Sequence, residues 1–108
     1  MNLDGCWSYV LPEYGRGGNL RIKAGLVTGG NGTVTFDGVV TGTLESVHIV
    51  LLAKQMADCE SVWGDAREKY VVSFRGERDG RTMRGRFERS EYPERSLDAV
   101  MTFEGPTP

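Results

Sequence analysis

VVSFRGERDGRTMRGRFE, residues 71–88, places apolar residues or glycine at every second position on either side of an Asp-Gly pair. Asp-Gly suits the positive φ values of a two-residue hairpin turn, so the stretch predicts two antiparallel strands joined at Asp79-Gly80. With those two residues as the loop, Glu77 faces Thr82, Gly76 faces Met83, Phe74 faces Gly85 and Val72 faces Phe87. Apolar residues then meet apolar residues or glycine on one face. The opposite face pairs Ser73 with Arg86 and Val71 with Glu88. A slip of one residue would send every apolar side chain to the wrong side. The same register sets Arg75 against Arg84, lays the ring of Phe74 over Gly85, and puts Arg89 on the inward face opposite Tyr70.

The period of two recurs outside the hairpin. Trp7, Tyr9 and Leu11 share a face in a run that Pro12 ends. Leu20 and Ile22 alternate with Arg21 and Lys23, and Val34, Phe36, Gly38 and Val40 form another set. Val47 to Leu52 is apolar on both faces except at His48, and Leu97, Ala99, Met101 and Phe103 close the series. Seven or eight strands in succession with short links predict an all-β fold. A small antiparallel up-and-down barrel of about eight strands removes the open sheet edges; a two-sheet sandwich is the alternative. Lys54 to Lys69 alone resists a strand reading, and Met56, Cys59, Val62 and Trp63 have the rough spacing of one short helix or packed loop. At 108 residues the chain makes one domain, 1–108.

Composition narrows the function. Glycine is abundant, 15 of 108 residues, without a collagen-like period, as a turn-rich β domain requires. A net charge of -2 argues against general nucleic-acid binding, which needs many phosphate contacts. Nine of the thirteen Lys and Arg residues lie between Arg67 and Arg95, but six carboxylates in the same segment leave an excess of only three. Uncharged runs are too short or too polar to cross a bilayer. Met1-Asn2-Leu3-Asp4 lacks the basic and apolar segments of a leader, so the sequence predicts a cytoplasmic protein with Cys6 and Cys59 reduced.

Catalytic and metal-binding patterns are sparse. Gly15-Arg16-Gly17-Gly18 and Gly29-Gly30-Asn31-Gly32 lack the Gly-Lys-Ser/Thr ending of a phosphate loop and read as hairpin turns. The single histidine, His48, has no nucleophile motif to serve, and one His with two distant Cys does not form a zinc pattern. The expectation is a protein that is not an enzyme and carries no cofactor or metal. Strand parity gives an inward set that lines any cavity: Trp7, Tyr9, Leu20, Ile22, Phe36, Val72, Phe74, Phe87, Met101 and Phe103, with Arg89 near one mouth. An inward arginine there holds the anionic head of an apolar ligand, or snorkels to water at the strand end. Because Val47, Ile49 and Leu51 cannot share a face with Val50 and Leu52, one set faces outward. Val50, Leu52 and His48 are the candidate dimer or partner interface.

The residues that carry these readings also resemble a family. Leu3-Asp4-Gly5-Cys6-Trp7-Ser8, with the Gly-x-Trp of lipocalin-like barrels, is followed by Gly18, Leu20, Gly25, Gly29-Gly30-Asn31, Phe36 and Gly38. Ser61-Val62-Trp63-Gly64, Gly76, Asp79-Gly80, Met83 and Gly85 continue the order. Together they are similar to the GrlR-like family, small bacterial negative regulators of type III secretion gene expression. The resemblance runs from Leu3 to Phe103. It implies a calycin-like eight-stranded barrel with an apolar cavity, a homodimer, and repression through contact with a transcriptional activator rather than with DNA. The family's acidic recognition loop is absent, the corresponding stretch being Gly42-Thr43-Leu44-Glu45-Ser46 with one carboxylate. The expected function is a non-enzymatic regulatory binding protein; a lipid or other apolar-ligand carrier without a regulatory partner is the second reading.

Overall fold

A computed structural model describes residues 3–43, 46–56 and 59–106. Eight strands follow in chain order: β1 (Gly5–Leu11), β2 (Arg16–Lys23), β3 (Leu26–Gly30), β4 (Val34–Gly42), β5 (Ser46–Gln55), β6 (Lys69–Asp79), β7 (Thr82–Arg89) and β8 (Ser96–Gly105). Each pairs antiparallel with its chain neighbours and β8 returns to β1, giving a closed up-and-down barrel with no free edge. The expected barrel is therefore present, and the sandwich is not. The closed wall buries one face of its strands, as the alternation requires: Trp7, Tyr9 and Leu11 on β1, Leu20 and Ile22 on β2, Val47, Ile49 and Leu51 on β5.

The β6–β7 hairpin keeps the expected faces but not the expected partners. Asp79 faces Thr82, Gly76 faces Gly85 and Phe74 faces Phe87, a shift of two residues. The loop is Gly80-Arg81, with Gly80 at φ +62° and Arg81 at negative φ, the pattern of a type II′ turn. A shift of two preserves parity, so the inward set stands. Phe74 packs edge-on against Phe87 at 5.7 Å. Its ring covers Gly76 rather than Gly85, since a Cβ on Gly76 would lie 2.7 Å from Phe74 Cζ. Arg75 faces Arg86 instead of Arg84, and the two like charges are relieved by Glu88 (3.2 Å) and Asp98 (3.2 Å) respectively. Arg89 lies opposite Val72, with Tyr70 its diagonal neighbour.

Two other segments differ from the sequence reading. Gly17 and Gly18 lie in β2 and Gly29 and Gly30 in β3, so the turns are shorter than the glycine runs suggest. A Cβ at Gly18 would clash with Gly30 O and come within 2.9 Å of Tyr9 Cε2, so the bare position makes room for the β3 backbone and for an inward tyrosine. Between β5 and β6 the described residues contain no helix. Gln55 N donates to Glu68 O and Met56 N to Thr33 O, which prolongs strand pairing past the strand end. Ser61 N to Asp65 O and Gly64 N to Ser61 O then close a tight, non-helical turn. This is the packed loop of the two alternatives, and it buries Ser61 and Trp63. Ala57 and Asp58, like Leu44 and Glu45 of the stretch aligned with the acidic loop, lie outside the described residues.

The two barrel ends are closed differently. At one, Trp7 Nε1 donates to Leu3 O at 2.9 Å, Phe103 meets Trp7 edge-on at 5.3 Å, and the Arg78 guanidinium lies 5.4 Å from the Trp7 ring centre. The other end receives the plug formed by residues 61–65. No helix among the described residues is long and apolar enough to cross a membrane.

Candidate functional site

The plugged end holds most of the buried polar chemistry of the described residues. Arg89, the last residue of β7, points inward by alternation and its side chain is wholly buried. It does not snorkel. Its guanidinium forms a two-pronged pair with Asp65, Nη1 to Oδ1 at 2.9 Å and Nη2 to Oδ2 at 2.6 Å, while Nε donates to Glu91 Oε1 at 3.1 Å. The planar fork suits two carboxylates at once, a geometry that lysine cannot reproduce. The guanidinium carbon also sits 3.9 Å from the Tyr70 ring centre and 5.0 Å from that of Tyr92.

Charge follows that geometry. The Arg89 hydrogen bonds, helped by Ser61 and opposed by partial burial, bring the Asp65 carboxyl down to about 2. Glu91 is lowered by Ser90 Oγ and, against some burial, by Arg89. Burial pulls the Arg89 guanidinium down, but Asp65 and Glu91 outweigh it and raise it above its ordinary value. Burial also pushes the Tyr9 phenol up to about 12, with the nearby Tyr70 adding to the rise.

The plug is tied to the barrel by several other bonds. Arg95 Nη1 donates to Trp63 O at 2.7 Å, and the Trp63 indole stacks at 3° on Tyr92 with ring centres 6.0 Å apart. Gln55 is buried but satisfied: Oε1 accepts from the Tyr70 hydroxyl at 2.9 Å, and Nε2 donates to Thr33 O and Glu60 O. On the rim, Asn31 Oδ1 accepts from Thr33 N and Val34 N, and Nδ2 donates to Gly17 O, fixing the β3–β4 turn.

Beneath the plug is a cavity of about 40 Å³, bordered by Tyr9, Phe36, Val72 and Phe87 of the expected inward set together with Val62, Trp63 and Tyr70. At about 10–15 Å³ each, it has room for a few waters. Trp7, Leu20, Ile22, Phe74 and Met101 also point inward, but they are packed against other side chains and are at most 1% exposed. Phe103 is half-buried against Trp7 at the opposite end. Side chains thus fill most of the barrel, as eight strands allow.

The candidate interface lies on the outer wall. His48 and Val50 are half-buried and Leu52 is exposed, while Val47, Ile49 and Leu51 face the core. Leu26 pairs with Val39, Val39 with Val50, and Leu52 with Val71, so the exposed side chains of four adjacent strands form one apolar strip. His48 lies at its end between Thr41 and Arg75, and its Nε2 is buried without a hydrogen-bond partner among the described residues.

Sequence reasoning singled out Arg89 but missed Asp65, Trp63 and Tyr92 as its surroundings. An inward arginine on an apolar wall does call for a carboxylate. The loop offered four, Asp58, Glu60, Asp65 and Glu68, with no periodicity to choose among them. Cys6 and Cys59 are free thiols, and no group of three His, Cys, Asp or Glu among the described residues is placed to hold a metal. Comparison with protein-family models and with curated proteins gives no match for this chain.

Proposed function

We propose that the protein is a non-enzymatic binding protein of the cytoplasm that acts through protein–protein contact made by its outer wall, beginning with its own homodimer. The observation that carries this reading is the apolar strip Leu26–Val39–Val50–Leu52–Val71 outside a barrel whose interior is nearly full. An apolar face spread over four strands costs solubility unless it is covered. A lipid carrier would place its apolar surface inside, where a cavity of about 40 Å³ leaves no room for an acyl chain. The regulatory role comes from the resemblance to the GrlR-like family. With one carboxylate in Gly42-Thr43-Leu44-Glu45-Ser46, a transcriptional activator would meet a different surface from the family's acidic loop, and the strip is the surface offered.

Sedimentation of the wild type and of the Leu52→Lys and Val39→Lys variants tests the reading. The wild type should sediment near twice 11.9 kDa and both variants near 11.9 kDa, with unchanged circular dichroism. A wild type that stays monomeric at high concentration removes the homodimer, and variants that dimerise normally remove the strip from the interface.

A further inference from the structure

The plug residues Trp63 and Asp65 present an indole and a carboxylate, two residues apart, to the barrel mouth. We propose that the Trp63-Gly64-Asp65 plug sits, as a built-in mimic, in a binding site for a small aromatic carboxylate that enters by displacing it and pairing with Arg89. This inference is independent of the outer-wall reading.

Four features of the site support it. First, the residue facing Arg89 across the sheet is Val72 and the one two before it on its own strand is Phe87, both apolar. Among the described residues its countercharge comes from connecting segments: Asp65 from the plug and Glu91 from the β7–β8 turn. A wall built only for packing is served at least as well by an apolar residue at this position, because burying a guanidinium carries a desolvation penalty. Second, the guanidinium presents its fork to a carboxylate and its carbon lies over the rings of Tyr70 and Tyr92, so the slot suits an anion attached to a flat group. Third, the flat group is already represented, since Trp63 is buried and stacked on Tyr92. Fourth, the small cavity adjoins Trp63 and continues along Tyr9, Phe36 and Phe87, so a ligand replacing the indole gains space beneath it.

Release of the plug leaves Arg89 partnered. Glu91 remains on Nε, itself held by Ser90 Oγ and by Arg67 at 3.6 Å. The incoming carboxylate takes the two Nη positions that Asp65 vacates. Because the plug competes from within the chain, the wild type binds with an affinity reduced by the fraction of time the site is open. Weakening the latch therefore tightens binding.

Indole-3-acetate serves as the probe, with indole-3-ethanol as the same ring without the charge. Calorimetry on the wild type should give saturable binding of the acid and none of the alcohol. Asp65→Asn, which keeps the side-chain shape and removes the competing charge, should bind the acid at least tenfold tighter, and Arg89→Gln should lose the preference for acid over alcohol. Ser61→Ala, which removes a hydrogen bond to Asp65 without touching Arg89, should shift affinity in the same direction as Asp65→Asn and covers failure of that variant to fold. A Trp63→Ala variant is not informative, because the void left by an indole takes up indoles whatever the natural ligand. In the wild type, hydrogen exchange at the Trp63 and Gly64 amides should rise on saturation with the acid. The proposal is overturned if the acid binds no better than the alcohol, if neither latch variant tightens binding, or if the plug amides stay protected at saturation. Capture of a Trp-Gly-Asp peptide that indole-3-acetate does not displace would equally overturn it, by giving the site to a protein partner.

Discussion

Arg89 and Asp65 are joined by two hydrogen bonds of 2.9 and 2.6 Å, yet they are not equally buried: the arginine side chain is wholly enclosed and the aspartate keeps 23% of its surface. The asymmetry sets the order of two substitutions. Asp65→Ala leaves an enclosed guanidinium with Glu91 alone, whereas Arg89→Met leaves a carboxylate that water can reach and fills the wall with an apolar chain of similar length. Breaking a buried pair from one side costs about 3–5 kcal/mol, and replacing the enclosed charge by an apolar group is often neutral. Glu91 softens the first case. Urea denaturation should therefore place Asp65→Ala about 2–3 kcal/mol below the wild type and Arg89→Met within about 1 kcal/mol of it. The reverse order would show that the arginine, not its partner, stabilises the plugged end.

The same pair governs behaviour in acid. Asp65 ionises at about 2 in the fold, against an ordinary value of 3.8, because Arg89 donates to its charged form. A carboxyl whose value falls on folding stabilises the fold fully above its unfolded value, and that contribution disappears as pH drops through the folded one. Glu91, also lowered, acts in the same direction. The wild type should lose stability between about pH 4 and pH 2. Asp65→Asn should show a shallower decline over that window, and the gap between the two should close near its lower end. Thermal midpoints at half-unit intervals check this. A constant gap would mean that Asp65 contributes no charge-dependent stability.

A third prediction concerns the two-residue turn between β2 and β3, where Lys23 pairs with Leu26. Ala24 stands at φ +52° and Gly25 at φ +80°, so both loop positions are left-handed, as a type I′ turn requires. Alanine is strained there, and Asn is the residue favoured ahead of glycine in this turn. The Ala24 amide, which donates to the Asp4 carboxylate at 3.0 Å, is retained by the substitution. Ala24→Asn should raise stability by about 0.5–1 kcal/mol, read from the urea midpoint. A decrease would show that the turn owes its shape to contacts that the longer side chain disturbs.

The hairpin shows what the sequence could and could not reveal. Alternation fixes which face of a strand is buried, so the inward set from Trp7 to Met101 was legible. It cannot fix partners, because moving the register by two residues changes none of the faces. Asp79-Gly80 and Gly80-Arg81 both supply a loop with glycine at a permitted position. The choice falls to packing: with Gly80-Arg81 as the loop, Gly76 meets Gly85 and the Phe74 ring fits over the gap beside Phe87. The Arg89 site was legible only in part. Parity placed the arginine inside, but Asp65 lies 24 residues away in a segment whose course is set by tight turns and by the burial of Trp63.

His48 supplies the last prediction. Its Nε2 is buried on the outer wall with no hydrogen-bond partner among the described residues, between Thr41 on one side and Arg75 on the other. A buried polar atom left unpaired forfeits its water without recompense, and an apolar group of similar shape at the same place avoids that cost. The row beside it already holds Val39 and Val50, so an apolar side chain meets compatible neighbours. His48→Leu should leave the monomer as stable as the wild type or raise its stability by about 1 kcal/mol. The measurement belongs at a concentration low enough to keep the chain monomeric, so that the outer strip contributes nothing. Loss of more than about 1 kcal/mol would count against this account and point to a ring nitrogen of His48 that is hydrogen-bonded in solution.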